Sequence, residues 1–320
     1  MPKRLMCDLK FLQKDLSGCV YIVTGANSGV GLETTRQLVK QGGHVVMACR
    51  RPDAAEEVAK SFTGLKGSYE IIRLDLADLQ SVRDFVEEFK KKYDRLDGLA
   101  CNAGLVTSGK GPQYTKDGFE MSIGVSYFGH FLLTELLLDM LKKSAPSRML
   151  IVSSVMHAGR ENRRPYVHFD DLNFKTRKFS NFQAYGEAKV ATVLYAKELA
   201  ERLKSTGVTT ASVHPGWARS NFGRGGSAGM NALVGIMSVF MRHNTDSNEE
   251  AAQTSLHVLL SDDAPKHSGA YFSQHSVIYR DKECKKGGWP MKSPNPNARN
   301  MDTAKKLVNM SYGLVGLNEK

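Results

Sequence analysis

Tyr185 and Lys189 stand four residues apart in Tyr185-Gly186-Glu187-Ala188-Lys189, within a run of helical periodicity, 184–204. Residues at that spacing share one face of a helix. A free phenol has a pKa of about 10 and is a poor base at neutral pH. A neighbouring ammonium stabilises the phenolate and draws that pKa down, which makes the pair a proton shuttle. A second chemical cluster is Thr24-Gly25-Ala26-Asn27-Ser28-Gly29-Val30-Gly31, which follows the apolar run Val20–Thr24 and opens a helical pattern. Glycines there let the backbone turn tightly and approach a pyrophosphate. The helix start offers the anion free N–H groups and the positive end of its dipole.

The elements that must position these groups alternate along the chain. Apolar runs at Val20–Thr24, His44–Cys49, 69–74, 96–102, 148–154, 209–214 and 271–272 read as strands. Helical patterns at 32–41, 54–62, 81–93, 119–141, 184–204 and 249–260 separate them. Strands that are apolar throughout belong to a sheet covered on both faces, and the alternation predicts parallel strands joined by right-handed crossover helices. The predicted fold is α/β, a doubly wound Rossmann-type parallel sheet. Its single domain spans 18–280, with an N-terminal extension at 1–17 and a C-terminal extension at 281–320. Within the latter, GGWPMKSPNPNAR reads as a loop from its Gly, Pro and Asn content, and 301–317 as a helix.

With TGxxxGxG between the first strand and helix and YxxxK downstream, the chain resembles the short-chain dehydrogenase/reductase family from about residue 18 to 280. The resemblance implies binding of a nicotinamide dinucleotide by the turn (Gly25, Asn27, Ser28, Gly29, Val30, Gly31). It also implies contacts from Asp75 and Leu76 after the third strand, Asn102-Ala103-Gly104 after the fourth, and Pro215-Gly216 after the sixth. Tyr185 would be the general acid/base, and Lys189 would also hold the nicotinamide ribose. Ser154, the second of the pair Ser153-Ser154, would orient the substrate oxygen and stabilise charge developing there, with Ser153 the alternative. The second strand ends in Cys49-Arg50 where NAD-binding members place an acid, so Arg50 suits a 2′-phosphate and predicts NADP(H). His214 reads as a strand-end residue rather than a base. The family's helical asparagine, whose backbone holds a water, is Ser126 here, in Ser126-Tyr127-Phe128-Gly129-His130-Phe131.

Two branches share these features. VVMACRR, SVRDFVEEF, GHFLLTELL and KKLVNMSYGLVGL are similar to light-dependent protochlorophyllide reductase, which would reduce a C=C bond of a tetrapyrrole. IVSSVMH, HFDDLNF, AYGEAK and GVTTASVHPGWARS resemble retinol dehydrogenases. The protochlorophyllide enzymes carry Thr at the Ser154 position and Cys at the Trp217 position. The function expected is therefore NADPH-dependent hydride transfer to or from a bulky apolar carbonyl or alcohol, with tetrapyrrole reduction as the alternative. A catalytically silent nucleotide sensor on the same fold is the non-enzyme reading.

Composition narrows the partners. The 44 basic against 33 acidic residues give +11, but they are scattered, and no zinc-finger, RRM or helix-turn-helix pattern accompanies them, so nucleic acid is not expected. Cys7, Cys19, Cys49, Cys101 and Cys284 show no metal-ligand spacing, so no metal is expected, and scattered thiols suit a reducing compartment. No apolar run is expected to reach the roughly 18 residues of a membrane span. The polar N-terminus does not read as a signal peptide. A cytoplasmic location is expected, or a plastid if a transit peptide has been removed. The run 228–241, AGMNALVGIMSVFM, lies between Arg224 and Arg242 where the family places its substrate lid. It is read as contact with a lipophilic substrate or as peripheral membrane contact, with a core or dimer-interface helix as the alternative, and a homo-oligomer is a further expectation.

Overall fold

The computed structural model describes residues 4–160, 162–217, 246–276, 279 and 281–318. Its centre is an eight-stranded sheet in the order β3-β2-β1-β4-β5-β6-β7-β8. The strands are β1 (Val20–Thr24), β2 (His44–Cys49), β3 (Ser68–Arg73), β4 (Gly98–Cys101), β5 (Ser147–Val152), β6 (Val208–His214), β7 (Tyr271–Ser273) and β8 (Gly288–Met291). Every pairing from β3 to β7 is parallel, and β8 is antiparallel to β7. The strand order reverses between β1 and β4, and in such sheets the crevice beyond the strands' C-terminal ends at that point receives ligands.

Period-two alternation sorts the strand side chains into two cores. Val20, Ile22, Val46 and Ala48 face one layer, formed with α3 (Leu79–Lys92), α4 (Gly129–Lys143), α5 (Asn181–Arg202) and α7 (Met301–Leu314). Tyr21, Val23, Val45 and Met47 face the other, with α1 (Gly29–Lys40), α2 (Pro52–Ala59) and α6 (Asn248–Leu260). Helix starts follow local chemistry: the Asp78 carboxylate accepts from Gln80 N and Ser81 N to open α3, and a Ser247/Glu250 capping box opens α6.

Three features depart from the sequence reading. The helix expected over 119–141 is interrupted: Met121–Ile123 is followed by a wider π turn at Gly124–Phe128 before α4 begins. At the join, a Cβ on Gly129 would stand 2.6 Å from Leu76 O, so the helix approaches the end of β3 as only glycine allows. The stretch Met121–Lys143 has the length and mean hydropathy, 1.3, to cross a membrane, but 89% of its most apolar window is buried, as in a core helix. Second, part of the expected loop after 286 is a strand. Gly288–Met291 pairs with β7, its Pro290 tolerated because an edge strand leaves one row of N–H positions without a partner strand. Third, helix α1 begins at Gly29, three residues before the apolar pattern that marked it.

Both extensions are tied to the core. Cys7, Phe11 and Leu16 are buried in the layer under α1 and α6, and Gln41 Nε2 donates to Phe11 O and Lys14 O. At the other end Leu307 and Val308 of α7 are buried, Tyr312 donates to Glu135 Oε2 at 2.7 Å, and Ser311 Oγ lies 2.8 Å from Tyr127 Oη. The run 228–241, its flanking Arg224 and Arg242, and Arg219 and Ser220 lie outside the described residues. Because α7 shares the central core, Leu307→Ala should cost about 3 kcal/mol, the range for emptying a buried leucine site. Urea unfolding should remain one transition with a lower midpoint and unchanged slope; a separate early transition would show that α7 unfolds independently.

Candidate active site

The strand ends gather the candidate residues at one edge of the sheet. After β1 the chain turns through Gly25 (φ 65°) and Gly29 (φ 57°), conformations that side-chain-bearing residues rarely adopt. The first bond into α1 runs from Leu32 N to Ser28 O, so the N–H groups of Gly29, Val30 and Gly31 precede it. A Cβ on Gly31 would meet Asn102 Nδ2 at 2.4 Å and Gly25 O at 2.5 Å. Asn102 Nδ2 in turn donates to Thr24 O at 2.8 Å, locking the β1 and β4 ends together. The Cys49 thiol, buried and pushed up to about 11, accepts from the backbone of Ala26 and Asn27. Exposed Arg50 follows directly, at the edge of the same turn. Asp75 is half-buried and accepts from Ala77 N, while Leu76 is buried against Gly129.

The end of β5 faces α5. Ser153 Oγ donates to Lys189 O at 2.9 Å, so that hydroxyl is committed to the backbone of the helix. Ser154, one residue on, points the other way: its hydroxyl accepts from Met156 N at 3.2 Å and lies near enough to the Tyr185 phenol to favour its ionised form. Lys189 is buried and its Nζ donates to Val152 O at 2.7 Å, 5.4 Å from the centre of the Tyr185 ring. Burial raises the Tyr185 phenol above its ordinary range, against the opposing effect of Ser154. Burial also holds the Lys189 ammonium down to about 7. A Cβ on Gly104 would lie 3.3 Å from Lys189 Nζ and 3.6 Å from Ser126 Oγ, so both groups border the space over that glycine. Ser126 Oγ is buried without a hydrogen-bond partner.

Residues outside the sequence-derived set complete the frame. Thr24 Oγ1 accepts from Asn102 N and Ala103 N, both at 2.9 Å. Its hydrogen faces two acceptors, Ala100 O at 3.4 Å and the nearer His130 Nε2 at 2.9 Å. His130 Nδ1 therefore carries the ring proton and donates to Ser126 O at 3.2 Å, inside the π turn. Buried His130 is held down to about 3 and stays neutral. The available signal was the four-residue spacing of Ser126 and His130, a helix-face pair; Thr24 carried none beyond its place before the glycines. His214 ends β6, with its pKa lowered to about 3 by burial, and Gly216 (φ 94°) sits against the Asp246 carboxylate. Trp217 N donates to that carboxylate at 3.0 Å.

The chain is similar to known proteins in sequence and in fold. A family model described as short chain dehydrogenase matches residues 19–167. Retinol dehydrogenase 13 of Mus musculus is 39% identical over 306 residues, covering 94% of this chain and 85% of its own length. Retinol dehydrogenase 12 of Homo sapiens is 41% identical over 307 residues, covering 94% and 88%. A crystal structure of an uncharacterized protein from Mycobacterium paratuberculosis superposes with a TM-score of 0.72 at 27% identity, over 96% of each chain.

The Lys189 shift has a signed consequence for stability. Its folded value is about 7 and its ordinary value 10.5, so between those pH values the unfolded chain holds a proton that the folded chain has released. Stability from this group thus rises with pH across that window, and the full burial cost is present below about 7. Without cofactor, wild type should gain on the order of 2 kcal/mol relative to Lys189→Met between roughly pH 7 and 9. Urea melts of both proteins at the two pH values measure this; a pH-independent difference would mean that the lysine folds charged.

Proposed function

The chain belongs to the short-chain dehydrogenase family of oxidoreductases, and on that premise we propose that it is an NADPH-dependent enzyme interconverting a bulky apolar carbonyl and its alcohol. The observation that carries this reading is the placement of Lys189 Nζ 5.4 Å from the centre of the Tyr185 ring, with the Ser154 hydroxyl near enough to favour the phenolate. The apolar substrate is supported by relatives named retinol dehydrogenases at 37–41% identity.

The residues fit a dinucleotide. Gly31 lets Asn102 and the Gly25 backbone pack directly against the start of α1, the opening N–H groups of α1 suit a pyrophosphate, and Lys189 has two ammonium hydrogens beyond the one given to Val152 O. Asn102, Ala103, Gly104, Pro215 and Gly216 would line the nicotinamide end, and Asp75 and Leu76 the adenine end. Arg50 is exposed beyond β2, where a guanidinium suits a 2′-phosphate. When bound, the nicotinamide supplies or receives the hydride.

The proton chemistry belongs to the protein. In the reducing direction Tyr185 Oη donates to the substrate oxygen, and in the oxidising direction it accepts from the alcohol. The nearby Ser154 hydroxyl and a charged Lys189 both favour the phenolate, opposing the burial that raises the phenol. Ser154 also orients the substrate oxygen beside Tyr185 and stabilises charge developing there.

The test is NADPH oxidation in darkness with all-trans-retinaldehyde and a panel of apolar aldehydes and ketones, with protochlorophyllide assayed in dark and light. Dark carbonyl turnover that falls about 10²–10⁴-fold in Tyr185→Phe is expected, the size of a lost general acid. Full turnover by that variant would refute the role of Tyr185. Light-dependent reduction of the pigment alone would replace the carbonyl reading, and cofactor binding without turnover of any probe would favour a nucleotide sensor. Arg50→Ala should lower kcat/KM for NADPH about 10-fold or more, as expected for a lost charge-assisted hydrogen bond, and leave NADH nearly unchanged. Equal losses with both cofactors would remove the 2′-phosphate assignment.

A further inference from the structure

Downstream of Ser154 the chain makes a tight 3₁₀ turn, Val155–Ala158, and His157 on that turn is fully buried. His157 Nδ1 lies 2.6 Å from Ser154 O, and a carbonyl only accepts, so Nδ1 carries the proton and donates. Burial holds His157 down to about 4, so at neutral pH the ring is neutral and Nε2 offers a lone pair. That lone pair faces Ser293 Oγ of the C-terminal extension at 2.8 Å, so the serine must donate. Ser293 Oγ also accepts from Asn295 N at 3.3 Å, consistent with this direction.

Asn295, itself fully buried, spends both amide hydrogens on the same segment. Its Nδ2 donates to His157 O at 2.7 Å and to Pro165 O at 2.8 Å, closing the excursion between them. That excursion also rests on the tyrosine-bearing helix. A Cβ on Gly186, the neighbour of Tyr185, would stand 3.0 Å from Pro165 Cγ and 3.2 Å from Met156 O. One segment thus follows Ser154 directly and abuts the helix beside Tyr185, and the extension grips it with two buried polar side chains, Ser293 and Asn295.

We infer that His157, Ser293 and Asn295 form a positioning brace by which the C-terminal extension sets the Ser154 hydroxyl against the Tyr185 phenol. The inference rests on the reading of Ser154 as the group that orients the substrate oxygen. None of the three touches the reacting atoms; they act through the backbone of the turn. The brace is stiff because the extension is anchored separately, through buried Leu307 and Val308 of α7. Buried polar groups lose more when one partner is removed than the bond contributes net, so cutting one link disturbs the whole turn.

The experiment compares wild type, His157→Phe, His157→Asn and Ser293→Ala in the dark NADPH assay with all-trans-retinaldehyde, alongside NADPH affinity by fluorescence and thermal melting. Phenylalanine keeps the ring packed on Tyr271 without either hydrogen bond; asparagine keeps a donor near the Nδ1 position. Small misplacements of a reacting group cost up to about 100-fold, so kcat should fall roughly tenfold in His157→Phe and about threefold in Ser293→Ala. NADPH affinity should stay within about twofold, and His157→Asn should recover most of the rate, which a loss of packing alone would not allow. Lower melting temperatures with kcat per folded molecule unchanged would overturn the brace; if His157→Phe does not fold, Ser293→Ala and His157→Asn decide alone. Full turnover by Ser154→Ala would instead overturn the role of Ser154. If wild type turns over no probe, ¹⁵N spectra of the imidazoles still decide: the Nδ1–H tautomer at His157 is required, and Nε2–H refutes the brace.

Discussion

A lysine ammonium sealed into the core between β5 and α5 is the constraint around which this edge of the molecule is arranged. Lys189 receives one backbone acceptor, Val152 O, and its burial draws its pKa to about 7. Such a group is costly unless something holds it, and here the holding is done twice. Nζ is tied to the end of β5, while the lysine's own carbonyl accepts from Ser153 Oγ. These two bonds fix the rotation of α5 relative to the sheet. Tyr185, one helical turn earlier, is thereby set against Ser154, and the serine that can face the phenol is the one not spent on the helix. The choice between two adjacent serines follows from strand alternation together with one hydrogen bond.

The parallel strands supply the rest of the convergence. Their C-terminal ends lie along one edge, so the residues just past β1, β2, β4, β5 and β6 become neighbours although they are scattered from Gly25 to Gly216 in sequence. Thr24 joins two of these ends through a single hydroxyl that accepts two N–H groups and donates to His130. The π turn then carries the linkage from His130 to Ser126, on the border of the space over Gly104. Wide turns inside helices tend to mark functional positions, and this one leads directly into the close approach of Gly129 to Leu76.

Much of this was legible beforehand. The central strands emerged from uninterrupted apolar runs because both sheet faces are covered, and their ends differ from the sequence reading by a residue or two. The glycine turn and the Tyr185/Lys189 spacing were visible because each depends on residues close in sequence. What was hidden depends on tertiary contact. The start of α1 was missed because glycines are weak helix formers and α1 begins on two of them. β8 was missed because its Pro290 and Gly288 speak for a loop locally, while the exposed edge of β7 accepts them. The π turn was invisible because periodicity measures the side-chain pattern, not the hydrogen-bond ladder. His130 and His157 were missed because the bonds that make each a neutral, one-tautomer bridge depend on partners, Thr24 and Ser293, that are distant in sequence.

That use of histidine explains how the site separates holding from reacting. A protonated imidazole loses its acceptor nitrogen, which would break the bond to Thr24, whose lone pairs are already used, and reverse the one to Ser293. Burial depresses His130, His157 and His214 to about 3, 4 and 3, so these three stay neutral through the pH range in which Lys189 titrates. The frame therefore keeps one hydrogen-bond pattern while the lysine changes charge. An ammonium that ionises near neutrality can gain its proton when an anion approaches, and the same gain favours the phenolate of Tyr185. On the proposed reading, binding and proton readiness would thus be linked at one side chain, within a scaffold whose buried His130, His157 and His214 are kept from titrating alongside it.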